Sequence, residues 1–256
     1  MSRVEIPFEA EPSAWVADWL RDKVNGNFDQ DLAEELWIPE PRQDPAPVFA
    51  RIRSMRVDRQ VVAIPPPQFF YHVPSGAGAE FARIQNDAAN RLSDSCPDRI
   101  HVFATLPLQD SGAAVGEIER IGGVSRVRGV QIGTNVAGMD LDAREVDPVW
   151  SALAAAGLPV WLHPDQRSIA GADRLARYYL VNLIGNPLAS TIAIARLIFG
   201  GVLDRHPALR FGFVHGGGFA PYQTGRWDHG WDVRSEPREF LTSPHRGTCA
   251  GCTSTR

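Results

Sequence analysis

Pro159-Val160-Trp161-Leu162-His163-Pro164 is a short apolar run closed by a histidine and then by a proline. Three consecutive apolar residues suit a strand buried on both faces, and a proline cannot continue the ladder. The same unit recurs on either side. Apolar strands are expected over 61–64, 102–106, 130–132 and 211–214, with helices over 79–92, 113–121, 146–156, 174–184, 187–203 and 220–231. Nearly all-apolar strands alternating with helices predict a parallel sheet, either doubly wound or closed as an α/β barrel, and a TIM-like (β/α) barrel is the expected fold.

Outside that core, residues 1–46 read as a helical arm with a Pro-rich linker, carrying Trp15, Val16, Trp19, Leu20 and Val24 at helical spacing. A short helix is expected over 47–55, inside a barrel unit spanning 47–241. Residues 242–256 have no apolar period and read as a disordered, solvated tail. With 256 residues, 44% hydrophobic and 22% charged, the chain can bury a core without disulfide or metal staples. The formal charge of -4 leaves no basic footprint for nucleic acid or an acidic membrane surface. No apolar run is expected to approach the roughly 20 residues of a membrane span. The first residues lack a signal-peptide layout, which predicts a cytoplasmic protein. Cys249 and Cys252 have C-x-x-C spacing but no second pair, and read as a tail feature.

Two of the seven histidines end apolar strands at a breaker: His163 before Pro164, and His215 before Gly216-Gly217-Gly218. In parallel α/β folds the C-terminal strand ends share one face, and that face carries the chemistry, so the two imidazoles should converge although far apart in sequence. Either ring could be a metal ligand or an acid/base group. Arg226 and Arg234, in and beyond Gly225-Arg226-Trp227, offer guanidinium forks suited to a carboxylate. The triglycine should let the backbone turn sharply beside a site, and Gly76-Ala77-Gly78 reads as a flexible turn.

Leu106-Pro107-Leu108-Gln109, Gly129-Val130-Gln131-Ile132-Gly133-Thr134-Asn135, Trp161-Leu162-His163-Pro164, Ile184-Gly185-Asn186-Pro187, Phe199-Gly200-Gly201-Val202 and Val214-His215-Gly216-Gly217-Gly218 together resemble, in order and spacing, the amidohydrolase-related metal-dependent decarboxylases. The resemblance implies a distorted barrel of the amidohydrolase superfamily with one divalent metal, zinc, and no organic cofactor. It implies His163 as a metal ligand, His215 as the acid/base, and Arg226 on the carboxylate of a small anionic substrate. Arg234 would reach a neighbouring subunit of a homodimer. Asn182 stands at a substrate-binding position that holds tryptophan in one family member. The implied activity is nonoxidative decarboxylation of a small conjugated or aromatic acid. Hydrolysis of an amide or lactone on the same scaffold and a catalytically inactive, truncated barrel are the alternatives. The family's opening His-x-His and its late aspartate have no counterpart here, so the barrel is expected to lack its first strand and its last two.

Overall fold

A computed structural model describes residues 59–94, 97–241 and 253–254. The expected arm, linker and 47–55 helix, and Cys96, Cys249 and Cys252, lie outside the described residues. Strands β1 (Gln60–Ala63), β2 (Ile100–Ala104) and β3 (Val127–Ile132) follow one another with helices α1 (Ser75–Asp94) and α2 (Ser111–Gly122) between them. A hairpin, β4 (Asn135–Val136) and β5 (Met139–Asp140), then leads to α3 (Asp147–Ala156) and β6 (Val160–Leu162). Helices α4 (Asn186–Phe199) and α5 (Val202–Arg205) precede β7 (Phe211–Phe213), and α6 (Ala220–Val233) follows it. The sheet runs β1-β2-β3-β6-β7-β8, with every neighbouring pair parallel, β8 being Thr253–Ser254. The five strands expected from sequence are all present, in chain order. β7 pairs through Gly212 and Phe213 with Thr253 and Ser254, two residues of the stretch read as solvated tail.

Register puts the two sheet faces in different surroundings. Val130, Val160 and Phe211 align across three strands, as do Ile132, Leu162 and Phe213, and all are at most 4% exposed beneath the helices. Trp150 of α3 closes this layer, its indole N–H donating to the Leu141 carbonyl at 3.0 Å and its ring meeting Phe211 edge-on. Alternate residues point the other way. There Val61 is 40% exposed, and Phe103 and Trp161 are half-buried with ring centroids 5.7 Å apart. Gln131 of β3 donates to the Ile64 carbonyl at 2.8 Å, just past β1. Strands two places apart are separated by about 10 Å in a flat sheet, so the sheet curls towards this second face, as a barrel wall does.

Three local expectations need correction. The helix expected over 174–184 is a 3-10 turn, Ala172–Leu175, then a π turn, Val181–Gly185, because Tyr178 and Tyr179 both sit at φ 60° and interrupt the helical run. The helix expected to reach 203 stops at Phe199. Its successor Gly200 faces Asp142 so closely that a Cβ would lie 2.4 Å from the aspartate Cβ, and Gly201 turns at φ 69°. Gly76 and Gly78 fall inside α1 and not in a turn, and Gly78 leaves room for the Gln109 side chain. Contrary to the sequence expectation, the combined 19-residue stretch Val181–Phe199 is long and apolar enough for a bilayer, with mean hydropathy 1.3 over an 18-residue window. Its buried Ala193, Ile194, Leu197 and Ile198 join the core, as in a core helix of a globular domain. The hairpin β4–β5 was not expected. Ala137 and Gly138 both take positive φ, as a tight two-residue turn needs, and the Asn135 side chain accepts the Gly138 N–H at 2.9 Å.

Candidate active site

His163 leaves β6 with its backbone N–H on the Ile132 carbonyl of β3 at 2.9 Å, and Val214 N–H continues the ladder to the Leu162 carbonyl at 3.3 Å. The two histidines therefore stand at the C-terminal ends of adjacent strands, with ring centroids 5.2 Å apart in an edge-to-face arrangement. His163 Nδ1 lies 3.0 Å from the Pro164 carbonyl, which can only accept. Nδ1 carries the proton in that contact, and the Nε2 lone pair is left for a metal or a donor. Burial holds the His163 pKa below the usual imidazole value, against the opposing pull of the Pro164 carbonyl and of Asp165.

His215 is held in an unfavourable backbone conformation, φ 54°, and Gly216, Gly217 and Gly218 continue the turn at φ 61°, 75° and 64°. Helix α4 forms the other side of that turn. A Cβ on Gly218 would sit 2.0 Å from the Pro187 carbonyl oxygen, and the Thr191 hydroxyl accepts the Phe219 N–H at 2.7 Å while donating to Pro187. The triglycine is thus required both by its φ angles and by the close approach of α4. The pKa of His215 is pushed down to about 4, first by burial and then by the charge of His163 beside it. The residue as a whole remains exposed.

Loops after β1, β3 and β6 and the flank of α4 line a half-open cavity of about 500 Å³ whose polar lining includes Tyr71, His72, Thr134, Asn135, Asp165 and Arg167. The buried Tyr71 phenol accepts the Gly133 N–H at 3.1 Å, and burial raises its pKa well above the usual phenol value. Asp165 is 7% exposed, and its Oδ1 accepts the Arg167 N–H at 3.1 Å. The Arg167 guanidinium lies 3.2 Å from His72 Nδ1. Of these cavity residues only Thr134 and Asn135 lie in a motif singled out from the sequence, and none was assigned a role there. Asp165 could have been noticed, since it follows the strand-ending His163-Pro164 directly.

The structure brings His163 and His215 together. Arg226 is exposed on α6, Arg234 is exposed at its C-terminal end, and neither lines the cavity. Asn182 is half-buried in the π turn, its backbone N–H on the Tyr179 carbonyl. His229 is exposed on α6. Among the described residues no three of His, Cys, Asp or Glu are grouped to hold a metal, whereas a catalytic zinc normally takes three protein ligands. The described donor set therefore does not fit a complete metal centre, and His163 supplies a single ligand position.

A curled parallel sheet with chemistry at its C-terminal edge is the class of scaffold on which amidohydrolases are built. The sequence profile of the amidohydrolase family matches residues 28–244, and the chain belongs to that family. It is similar to the 2-amino-3-carboxymuconate-6-semialdehyde decarboxylase of Dictyostelium discoideum, 30% identical over 227 residues covering 85% of this chain and 61% of that protein. It is also similar to a γ-resorcylate decarboxylase of a Rhizobium species, 34% identical over 180 residues covering 62% and 51%. A 5-carboxyvanillate decarboxylase structure from Novosphingobium aromaticivorans, with bound manganese, shares the fold: TM-score 0.75, 23% identity, covering 94% of this chain and 75% of that one. The chain spans half to two-thirds of the length of the two curated relatives.

Proposed function

We propose that this chain carries the His163–His215 part of the active site of a metal-dependent decarboxylase acting on an aromatic or conjugated carboxylic acid without an oxidant or organic cofactor. The observation that carries the reading is the 5.2 Å approach of the two imidazoles at adjacent strand ends. The names of the relatives, decarboxylases of carboxymuconate semialdehyde and γ-resorcylate, support it. Burial and the neighbouring His163 lower the His215 pKa to about 4, so the ring is neutral at pH 7, and the one proton consumed per turnover reaches it from solvent water. Once protonated it is a strong acid poised to deliver that proton. Transferred to the ring carbon bearing the carboxylate, the proton makes the new C–H bond. The C–C bond then breaks, its electron pair returns to the conjugated system, and carbon dioxide leaves neutral, with His215 neutral again. The metal, zinc by the sequence resemblance and manganese in the structural neighbour, is kept as a proposal and enters no step here. For holding the anion the sequence offers Arg226 and Arg234, and the cavity offers Arg167. A homodimer is proposed on the exposed apolar group Tyr178, Tyr179, Leu183 and Ile184, and a cytoplasmic location on the sequence alone.

A second reading has its own support: among the described residues the metal ligands are incomplete, so the chain would contribute part of a site that another segment completes. One experiment separates the two. The purified chain is dialysed with manganese or zinc, its bound metal is measured, and carbon dioxide release from 2,6-dihydroxybenzoate is followed for wild type and His215→Asn. Stoichiometric metal with turnover lost in the variant supports the decarboxylase reading. Turnover that survives the substitution overturns the role of His215. No retained metal and no turnover favours the incomplete site.

A further inference from the structure

At the edge opposite His163 and His215 the concave face ends in a basic rim. Arg59 directly precedes β1, Arg128 is the second residue of β3, and Arg210 directly precedes β7, so with all strands parallel the three stand at the N-terminal ends. Arg128 is set out of the ladder by a register shift, since Val102 pairs with Val127 and the next residue, Phe103, with Gly129. All three arginines are exposed, and among the described residues no carboxylate pairs with their side chains. Burial lowers the pKa of His101 on β2, and the nearby charges of Arg128 and Arg59 lower it further. Arg128 and Arg210 share a half-open hollow of about 530 Å³ with Ser125, Phe103 and the Trp161 ring. A closed α/β barrel fills its interior with packed side chains. Here Val61 is 40% exposed, and Phe103 and Trp161 are only half-buried. The face therefore combines an aromatic wall with guanidinium charge that nothing on the sheet neutralises.

The chain itself carries the complement. Residues 1–46 hold eleven carboxylate and four basic side chains, whereas residues 47–256 hold 19 and 22. The acidic excess is concentrated in Asp29-Gln30-Asp31-Leu32-Ala33-Glu34-Glu35-Leu36-Trp37-Ile38-Pro39-Glu40, which has five carboxylates, no basic residue, and apolar side chains at Leu32, Leu36, Trp37 and Ile38. Its place in the chain also favours it, because the residues before Arg59 join the sheet through β1 at this same rim. The 19 steps from Glu40 to Arg59 can span up to about 60 Å when extended, and β7 lies four strands from β1, roughly 20 Å away. A tethered segment binds at high effective concentration, so a few exposed ion pairs and an apolar contact suffice to hold it. We infer that residues 29–40 dock on the concave face at its N-terminal rim, with their carboxylates on Arg59, Arg128 and Arg210 and their apolar side chains against Trp161 and Phe103. The contact lies at the strand ends away from His163 and His215 and does not depend on the reaction proposed for them.

The test is zero-length carbodiimide coupling in the full chain, which joins a carboxylate to an amine in contact with it. Lys23 is the only lysine of the 256 residues, so the background is small. Arg128→Lys and Arg210→Lys, made singly, keep the charge and introduce one amine each. Peptide mass spectrometry of the monomeric band should find each introduced amine joined to a carboxylate of residues 29–40. The yield should fall about threefold or more as sodium chloride rises from about 0.01 M to about 1 M and the Debye length shrinks from about 30 Å to about 3 Å. Absence of coupling to residues 29–40, equal coupling to carboxylates elsewhere, a yield indifferent to salt, or coupling confined to a band of dimer mass would each overturn the assignment, the last in favour of a second copy as occupant. Should the lysine variants fail to fold, phenylglyoxal modification replaces them. Asp29→Asn, Asp31→Asn, Glu34→Gln, Glu35→Gln and Glu40→Gln, combined in one chain, leave every described residue unchanged. They should speed modification of Arg128 and Arg210 about threefold or more, while Arg226, exposed on α6, reacts as in the wild type. Unchanged rates at Arg128 and Arg210 overturn the proposal.

Discussion

The helix-covered face of the sheet and its concave face are built from the same strands, yet they follow different rules. On the covered face, Val130, Ile132, Val160 and Leu162 are wholly buried, and the side chains are uniformly apolar. On the concave face, large and absent side chains alternate: Trp161 lies over Gly212, and Phe103 over Gly129. Glutamine and histidine also appear there, Gln131 within β3 and His163 just past β6. Close-packed apolar layers stabilise a fold but offer nothing to a ligand, whereas a face with polar groups and shaped hollows sacrifices stability for chemistry. The contrast shows where the protein tolerates change and where it does not.

The largest effect should come from the covered face. Leu162→Ala removes a fully buried side chain and should cost about 2–5 kcal/mol in guanidinium unfolding, while Trp161→Ala, one residue along and half-buried, should cost clearly less despite its greater size. Equal losses would break the comparison.

A smaller effect is expected at the concave face itself. The Cβ of Gly212→Ala would fall 2.2 Å from the Trp161 ring, so the substitution should destabilise by about 1–3 kcal/mol. Combining it with Trp161→Ala should relieve most of that loss. Additive losses in the double-mutant cycle would mean that the glycine serves the backbone and not the tryptophan.

The smallest effect lies outside both faces, where Asp147 at the start of α3 meets Arg205 at 2.9 Å and His206 at 3.3 Å. Burial pushes its pKa up, but the hydrogen bonds from Arg205 and His206 and their charges outweigh burial and hold it below the ordinary 3.8. A lowered carboxylate value stabilises the fold above the unfolded pKa, and the gain is lost as pH falls through the folded value. The difference in melting temperature between wild type and Asp147→Asn should therefore be constant near neutrality and shrink below pH 4. A gap that widens in acid would reverse the assigned sign.

Strand positions were legible because each apolar run ends at a breaker: Pro65 after Ile64, Pro107 after Leu106, Pro164 after His163, Gly216 after His215. Helix boundaries were legible where a cap marks them, as with Asp110 accepting the Ala113 N–H ahead of α2 and Gly157 at φ 65° after α3. They were misread over 174–203, where helical apolar spacing persists through Tyr178 and Tyr179 and through Gly200 although the backbone does not. Periodicity reports which side chains want burial. It is silent about a pair of left-handed residues inside an apolar stretch.

For the site, the one-dimensional pattern determined His163 and His215, since a strand that ends in histidine in a parallel sheet places that histidine on the shared C-terminal edge. Tertiary structure alone decided the rest. Tyr71 meets Gly133 across 62 positions and Arg167 meets His72 across 95, on loops whose sequences carry no period and whose contacts exist only once the strands are in register. It also decided that the buried Thr134 and Asp165 line one cavity. Local sequence fixes which segments are buried and where they stop. Which loop side chains then share a cavity depends on distances between segments that the chain order does not encode.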